Sequence, residues 1–546
     1  MSKRIRLPSD KIIDVYRIPY DGSDDALPSK EMVGSKAHNL MRMARRGLLV
    51  PPGFVLGTGF CRAYLDQGLA ALAGLDDVLA RELEALGART NRRFGDPKRP
   101  LFVSVRSGAA MSMPGMMETV LNVGLTDATM RGLLRLTGNP RLTADCQRRL
   151  IQQFAEVVHG AEKKRFEDIV AAKLVEEGLG RVDELDSQAL YDLAAAHALE
   201  FETIAGEPFP SSPLVQLRAS IEAVLKSWMS ARALNYRKLN AIPDHAGTAT
   251  IVQMMVFGNS GPTSGSGVGF TRNPSDGTKA MYVDYLSNAQ GEDVVSGRMN
   301  ALDMVELERR APDAHRKLVC SRDVLEREFG DMQDFEFTVE EGQLYMLQAR
   351  SGKRTPLAAL RIAIDLVHEE AIAPEAGLSL LQGLDLDAIE TVELSPPDGT
   401  KPIARAVPAG AGVAVGAVVF DTGRVADLKR MRKPVVLVRE QTETADIQAL
   451  ADAEALVTKH GARTSHAAVV ARQLGKVCLV GCEALVVGES RRRGTFGGVD
   501  IEEGEIITVD GTTGSIFQGE MPVKRVKPKK LVEEVRRWRK PHSSRR

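Results

Sequence analysis

The sequence lacks the features that would mark a membrane protein, a secreted scaffold or a nucleic-acid-binding protein. No run of 18 apolar residues occurs, so no membrane-spanning helix is predicted. The start, Met1 to Arg6, carries no apolar signal-peptide region, and the five cysteines are odd in number and scattered. Reduced thiols in a cytoplasmic protein are therefore expected. Acidic and basic residues balance at 72 each, so no global field favours a membrane or a nucleic acid as partner.

The balance of charge hides a basic tail. Residues 523–546 hold eleven Lys/Arg and two Glu, a net charge of +9, so residues 1–522 carry −9. The tail also has an apolar stripe at helical spacing, made by Leu531, Val532, Val535 and Trp538. Two interpretations stay open: a disordered, solvated tail, or a helix that recruits an acidic acceptor chain or nucleic acid.

The stretch around His466 predicts a helix start that suits phosphate. Residues 454–459 have the pattern of a short strand, Ala467 to Leu474 can fill two helical turns, and Gly475 stops that helix before the next strand. His466 would lie in the first turn, where backbone N–H groups point outward and the dipole favours negative charge. A phosphoryl group on its imidazole is well placed there. The ordinary alternative is a histidine that makes a local hydrogen bond.

Two segments nearer the start combine a cation with small residues. Lys36 follows Gly34 at the predicted start of an amphipathic helix, where a phosphate would meet its ammonium and the backbone amides. Arg106 ends an apolar strand and enters a loop of small residues, where its guanidinium can fork onto phosphate oxygens. A solvated lysine and a structural salt bridge are the alternatives.

A predicted hairpin at residues 331–350 contains the residues that most strongly predict a metal site. Two strands around a turn at residues 341–342 would place Asp334 and Glu336 on one face of the first strand, and Gln348 and Arg350 on one face of the second. Carboxylate and amide oxygens suit Mg²⁺, and an arginine can neutralise a transferring phosphoryl group. A solvent-facing hairpin with charge pairs is the alternative.

A glycine-rich segment precedes that hairpin. Thr250 to Phe257 is predicted as a strand, and residues 258–267 as a glycine-rich loop that leads to a second strand at Val268 to Phe270. Two strands joined by such a loop can cover a nucleotide, but the pattern alone is weak.

Several of these stretches resemble one family. The run Gly461 to Arg472 resembles the phosphohistidine motif of the pyruvate, phosphate dikinase family, and Met113 to Thr119 resembles its phosphate-covering loop. The hairpin resembles the closing hairpin of the family's ATP-grasp domain. Two departures are visible: Gly461-Ala462-Arg463 stands where the family has two glycines, and Ala110 stands where the family commonly has arginine.

The resemblance implies a role for each candidate residue. His466 would carry the phosphoryl group and act with two catalytic arginines, Arg350 and Arg106. Glu336 and Gln348 would hold Mg²⁺. The residues implied in binding the nucleotide are Lys36, Arg106, Glu292, Asp334 and Arg350.

The implied fold class is α/β and multidomain. Residues 1–354 would form an α+β ATP-grasp domain with a helical insertion at about 127–240, followed by a helical linker over 355–395. Residues 396–522 would form a compact α/β phosphohistidine domain that swivels between sites, and 523–546 the basic tail. The family continues into a (β/α)₈ barrel of roughly 250 residues. The sequence has no room for this barrel, so a separate chain is expected to bind pyruvate and phosphoenolpyruvate.

The implied reaction uses ATP as substrate, with Mg²⁺ and phosphate. His466 Nε2 attacks a phosphoryl group of ATP, and AMP, pyrophosphate and phosphohistidine result. Water in place of phosphate stays open, because the histidine motif does not separate the two. Two further functions also stay open: transfer of the phosphoryl group to another small molecule or protein, and non-catalytic regulation by nucleotide binding. Retention of every catalytic residue type argues against the last.

Overall fold

The computed structural model describes residues 3–6, 12–19, 27–111, 113, 116–295, 304–442, 446–461, 463, 466–488 and 492–538. The chain divides into two compact units. The first is Met1–Gly261 with Tyr345–Gln348, and the second is Pro262–Leu344 with Ala349–Arg546. The boundary predicted at residue 354 falls inside the second unit, and the predicted domain limits remain predictions.

The first unit is built on an antiparallel six-stranded sheet in the order β1-β2-β3-β8-β6-β7. The strands of this sheet are β1 (Lys3–Arg6), β2 (Ile12–Ile18), β3 (Gly53–Leu56), β6 (Val103–Gly108), β7 (Thr119–Val123) and β8 (Ala249–Met254). A separate parallel pair is formed by β4 (Arg93–Phe94) and β5 (Pro100–Leu101).

The first unit also contains a series of α-helices. They are α1 (Lys30–Arg45), α2 (Thr58–Gln67), α3 (Leu75–Thr90), α4 (Asp127–Thr137), α5 (Pro140–Val158), α6 (Lys163–Glu177), α7 (Ser187–Ala205), α8 (Pro213–Ser227) and α9 (Ala231–Leu239). Residues 127–240 are therefore helix-rich, as their periodicity predicted. One apolar core joins α2 to α9 to the strands, with Phe154 and Trp228 on the helical side and Val105 and Val120 on the sheet.

The next sheet has four strands in the order β10-β9-β11-β12 and belongs to the second unit, except for Tyr345–Gln348 of β12. Its strands are β9 (Gly265–Phe270), β10 (Tyr282–Ser287), β11 (Gln333–Glu340) and β12 (Gln343–Ser351). Three helices accompany it: α10 (Gly291–Val295), α11 (Met304–Arg310) and α12 (Pro312–Phe329). The predicted turn is confirmed, because Glu341 and Gly342 both have positive φ, at 49° and 80°, as a tight two-residue hairpin requires.

The structure does not join the two strands on either side of the glycine-rich segment in one sheet. β8 and β9 lie in different sheets, so residues 258–264 connect two sheets and do not close a hairpin. Gly265, Gly267 and Gly269 lie within β9, on the face that carries the aromatic side chains of β11. A Cβ at Gly267 would lie 2.3 Å from the Phe337 ring, and one at Gly269 would lie 2.9 Å from the Phe335 ring. These two glycines leave room for that aromatic packing.

The linker and the tail fold together. The linker holds α13 (Pro356–His368), α14 (Pro374–Leu380) and β13 (Thr391–Leu394), and the tail holds β25 (Val523–Val526) and α18 (Lys529–Trp538). β13 and β25 pair antiparallel. Val532 and Val535 are buried against α13, in one core with Leu360 and Ile364. Of the two interpretations of the tail, disorder is therefore wrong for the described residues 523–538, whereas the helical apolar stripe is confirmed.

Residues between β13 and β25 form a mixed eight-stranded sheet in the order β14-β24-β23-β16-β17-β18-β19-β15. Its strands are β14 (Ala404–Arg405), β15 (Val407–Gly410), β16 (Val413–Val419), β17 (Val435–Arg439), β18 (Ala455–Thr458), β19 (Val477–Val480), β23 (Ile506–Asp510) and β24 (Ser515–Gln518). A three-stranded sheet adds β20 (Leu485–Val487), β21 (Arg493–Phe496) and β22 (Val499–Glu502). The helices here are α15 (Thr422–Arg430), α16 (Ile447–Asp452) and α17 (His466–Gln473).

The architecture is thus mixed α/β with several sheets, as the sequence predicted. Among the described helices, none has the length and apolar character needed to cross a membrane.

Candidate active site

The two cationic segments of the first unit are held together by their backbones. Gly34 has a φ of 76° and kinks α1, so the regular helix that carries Lys36 starts directly after it. A Cβ at Gly34 would lie 2.0 Å from the carbonyl oxygen of Gly108, so only glycine fits this approach. The N–H of Ser35 donates to the carbonyl of Ala109 at 2.9 Å, and the Ser35 hydroxyl donates to the same oxygen at 3.0 Å. The structure therefore brings the Lys36 turn and the loop after Arg106 together.

Arg106 is oriented by a glutamine that the sequence did not single out. Its guanidinium donates to Oε1 of Gln253, a side chain on β8 that is 1% exposed. The amide group of Gln253 donates in turn to the carbonyl of Pro51 at 2.6 Å. That second bond fixes which end of the amide faces Arg106. Gln253 thus limits the positions that the predicted phosphate-binding guanidinium can take.

The start of the glycine-rich segment is fixed by a buried carboxylate. Asp145 on α5 accepts a hydrogen bond from the Asn259 amide at 3.0 Å and forms ion pairs with Arg148 at 2.7 Å and Arg149 at 2.9 Å. The charges of the two arginines hold the pKa of Asp145 well below its usual range, although burial alone would raise that pKa. The amide of Asn139 also donates to the Ser260 carbonyl at 3.2 Å. Residues 259–260 are therefore tied to α5.

In the second unit, one face of the four-stranded sheet carries the predicted charged residues. Register places Asp334 opposite Phe270, Glu336 opposite Val268 and Thr338 opposite Ser266, so the predicted alternation along β11 is confirmed. Nε and Nη2 of Arg350 both lie 2.9 Å from Oδ2 of Asp334. The hairpin therefore joins Arg350 and Asp334 and places Glu336 on the same face.

Burial and neighbouring charges have opposite effects on the pKa values of Asp334 and Arg350. Burial raises the pKa of Asp334, and the charge of Arg350 pulls it down. Burial alone would lower the pKa of Arg350, but the carboxylates of Asp334 and Glu336 raise it above its ordinary value. The guanidinium stays charged, and a carboxylate and a cation remain side by side at a half-buried position. A phosphoryl oxygen can compete with Asp334 for this cation.

The remaining predicted ligands lie on this sheet or beside it. Gln348 is on β12, two residues before Arg350. Glu292 opens the short helix α10, which packs through Val294 against Val268. Across the described part of the chain, no cluster of three His, Cys, Asp or Glu side chains could hold a metal alone. A cation there would take the Glu336 carboxylate together with amide or phosphate oxygens, which is the donor set that Mg²⁺ prefers.

The histidine segment has the predicted strand–turn–helix form. β18 ends at Thr458, α17 begins at His466, Gly475 follows the helix with a φ of 66°, and β19 resumes the sheet. The parallel pairing of β17, β18 and β19 places His466 beyond the carboxyl ends of these strands. Ligands commonly bind there in open α/β sheets. Thr464 and Ser465, either of which can cap such a helix, lie outside the described residues.

Two arginines flanking His466 contact the four-stranded sheet. The guanidinium carbon of Arg463 lies 4.4 Å from the ring centroid of Tyr282, and that of Arg472 lies 5.1 Å from the centroid of Phe270. The Tyr282 hydroxyl donates to the carbonyl of Pro408 on β15. The histidine helix therefore lies against the sheet that carries Asp334 and Arg350.

Sequence reasoning missed these arginines and Gln253. Gln253 is 147 positions from Arg106, and Arg463 is even farther from Tyr282. The departure Gly461-Ala462-Arg463 was visible, but only the fold shows that Arg463 stacks on an aromatic ring.

Two regions of the chain match models of known protein families. The family model described as "Pyruvate phosphate dikinase, AMP/ATP-binding domain" matches residues 73–323, and "PEP-utilising enzyme, mobile domain" matches residues 431–514. The chain is similar to pyruvate, phosphate dikinase of Clostridium symbiosum, with 40% identity over 512 residues, which are 93% of this chain and 59% of the relative. It is also similar to pyruvate, phosphate dikinase 1, chloroplastic, of Zea mays, with 41% identity over 496 residues, or 90% of this chain and 52% of the relative. The Rhizobium meliloti enzyme is 38% identical over 521 residues, 93% of this chain and 58% of the relative.

The chain therefore spans between half and three-fifths of the length of these relatives. Within that span it carries the nucleotide-binding region and the mobile region in the order that the resemblance implies. Two regions of this chain thus match the nucleotide-binding and mobile domains of the pyruvate, phosphate dikinase family, and the sequence is similar to these dikinases over at least 90% of its length.

Proposed function

We propose that the protein is an ATP-dependent phosphotransferase that phosphorylates its own His466. One observation carries this proposal. The helix that begins at His466 contacts the sheet face on which Arg350, Asp334 and Glu336 lie, through Arg463 and Arg472. An acceptor histidine and a charged phosphoryl-binding face within one compact unit are what direct transfer from ATP requires.

The residues of the chain take distinct parts in that transfer. The Nε2 lone pair of a neutral His466 forms the new P–N bond while the bond from that phosphorus to its bridging oxygen breaks. Arg350 would compensate the charge on the transferring group, and Lys36, Arg106, Glu292 and Asp334 would bind the nucleotide. Glu336 and Gln348 would hold Mg²⁺, which neutralises phosphate charge when bound.

The products follow from the phosphoryl balance. ATP, phosphate and the free histidine give AMP, pyrophosphate and phosphohistidine when phosphate accepts the other phosphoryl group. Pyruvate, bound on a separate chain, is the acceptor that we propose for the phosphohistidine. The relatives' name supports pyruvate and phosphate as substrates, and the AMP/ATP-binding domain named in the matching family model supports ATP. A cytoplasmic location remains a prediction from the cysteine usage.

Labelled ATP tests the proposal directly. ATP labelled at each phosphorus in turn, incubated with the protein, Mg²⁺ and phosphate, is expected to leave acid-labile label on His466 from one position only. Addition of pyruvate alone should leave that label in place, and addition of pyruvate with a chain that binds it should discharge the label. Absence of label in every reaction would refute the phosphotransferase function. Discharge by an unrelated acceptor alone would refute pyruvate but keep the transfer to histidine.

A further inference from the structure

A row of side chains crosses the four-stranded sheet. Phe270 on β9 lies directly opposite Tyr282 on β10 and directly opposite Asp334 on β11. Directly opposed residues of antiparallel strands project from the same face. The row continues on β12 with Arg350, whose guanidinium binds the Asp334 carboxylate. We name these four residues the cross-strand row.

The aromatic end of the row is covered by the histidine segment. Arg463 lies over the Tyr282 ring and Arg472 over the Phe270 ring, three residues before His466 and six after it. The two rings are themselves in contact, with centroids 6.4 Å apart. The charged end of the row, Asp334 with Arg350, begins one strand farther along.

Arg472 is fixed by hydrogen bonds within the histidine-bearing domain. It is 6% exposed; its Nε donates to the Ala409 carbonyl at 3.1 Å, and Nη2 donates to the Arg463 carbonyl at 2.8 Å. Of the groups that the structure describes, no carboxylate lies within ion-pair distance of Arg472. Burial lowers the pKa of Arg472, and the Phe270 ring together with the negative charges of Asp334 and Asp284 offsets part of that cost across the contact.

These contacts can be broken without separating a buried ion pair. A cation over an aromatic ring contributes roughly 2- to 30-fold to an equilibrium constant, depending on desolvation. Two such contacts favour the joined arrangement yet allow release. An ion pair in their place would be more costly to break, because each buried charge would need a new partner.

We propose that the cross-strand row is the docking surface for the histidine-bearing domain, and that Asp334 links docking to ligand binding at Arg350. The proposal rests on the proposed function. A phosphoryl group that binds Arg350 draws this cation from Asp334, and the carboxylate then interacts more strongly with Arg472. Nucleotide binding therefore strengthens docking. By linkage, docking strengthens nucleotide binding by the same factor.

Docking can be measured without catalysis. Cys320 is exposed on α12, and the other four cysteines are buried, so a pair of dyes can be placed on Cys320 and on a Val486→Cys variant. Val486 is 56% exposed in the three-stranded sheet. We expect Arg463→Gln to lower the docking equilibrium constant about 2- to 30-fold, and Tyr282→Leu to lower it further because it also removes the hydrogen bond to Pro408. The double variant should dock no more weakly than Tyr282→Leu alone, since both substitutions remove the same cation–ring contact.

Matched variants separate docking from folding. Arg463→Lys keeps a cation over the ring and should retain most of the docked population, whereas Tyr282→Phe keeps the ring and loses the hydrogen bond to Pro408, so it should dock more strongly than Tyr282→Leu. Arg405→Gln, at an exposed position on β14, should keep all of it. The rate of His466 labelling by ATP should fall in proportion to the docked fraction. An unchanged dye distance in both Arg463→Gln and Tyr282→Leu would overturn the docking surface.

The link through Asp334 has its own test. In a His466→Asn background, which cannot accept the phosphoryl group, Mg-ATP should raise the docked fraction. In the same background Asp334→Asn should abolish that rise at an ATP concentration where equilibrium dialysis shows the site filled. A full rise in the Asp334→Asn variant would overturn the link.

The outcomes also distinguish this proposal from the proposed function. Loss of the docked population in Arg463→Gln, with no histidine label in any variant, would support the docking surface and refute the phosphotransferase. Normal labelling with an unchanged dye distance would refute the docking surface alone.

Discussion

The ion pair between Arg350 and Asp334 predicts that a structural and a catalytic effect of Arg350 can be separated. Arg350→Gln removes the cation from a carboxylate whose side chain is 17% exposed. Hydrogen bonds to charged groups contribute about 1.5–3 kcal/mol. Because the Arg350 side chain is 34% exposed, solvent screens part of that interaction, and we expect a loss of about 1–2 kcal/mol in the free energy of unfolding. Loss of charge stabilisation at a phosphoryl group should slow His466 labelling about 10²- to 10³-fold.

The assay uses three variants: Arg350→Gln, Asp334→Asn and the double variant. In the double variant two amides can hydrogen-bond without an unpaired charge, so stability should return to within about 0.5 kcal/mol of the unaltered protein. The labelling rate should stay low, because no cation replaces Arg350. Urea unfolding of the second unit measures the free energy of unfolding, and rapid-quench labelling with ATP measures the rate of His466 phosphorylation.

One result would refute this reasoning. If the double variant regained both stability and labelling rate, Arg350 would act only by neutralising Asp334. The phosphoryl group would then be bound by other cations.

Three further predictions follow from single residues. His466→Asn should abolish acid-labile label from ATP while nucleotide binding persists, and His460→Asn, the nearby control, should keep it. Val535→Asp should release α18 and expose the chain after Pro522 to limited proteolysis, because Val535 is fully buried, whereas exposed Arg537→Ala should not. Burial lowers the pKa of His197 from 6.5 to about 4, so the unfolded chain binds more protons between these values. Stability should therefore fall by up to about 3 kcal/mol as pH drops from 6.5 to 4, and His197→Gln should flatten that dependence.

Sequence patterns predicted local features and failed where distant partners decide the outcome. The alternation of Asp334 and Glu336 and the turn at Gly342 follow from strand period and turn chemistry, and both are confirmed. The helix start at His466 follows from its flanking glycines and strands. The placement of β8 and β9 in different sheets could not be inferred from their neighbours in the sequence.

The tail shows the same limit. Its apolar stripe was visible, but composition could not show that Val532 and Val535 would find an apolar face on α13. Arg536 also binds the Asp387 carboxylate, so part of the basic charge is compensated within the chain. A count of charges therefore overstated how much of this segment is available to another molecule.

The arrangement of Arg472 suits the proposed docking of the histidine-bearing domain, which has to be both reversible and in one register. Its guanidinium is bound to two carbonyls of its own domain, Ala409 and Arg463, so its position does not depend on the sheet. Docking then orders few additional rotatable bonds, and less conformational entropy is lost on contact. The sheet supplies only a ring and nearby negative charge, which keeps release fast. Transfer requires the histidine to approach phosphorus to about 3–3.5 Å, so a preordered arginine six residues beyond His466 suits a contact that must form in one register and then break.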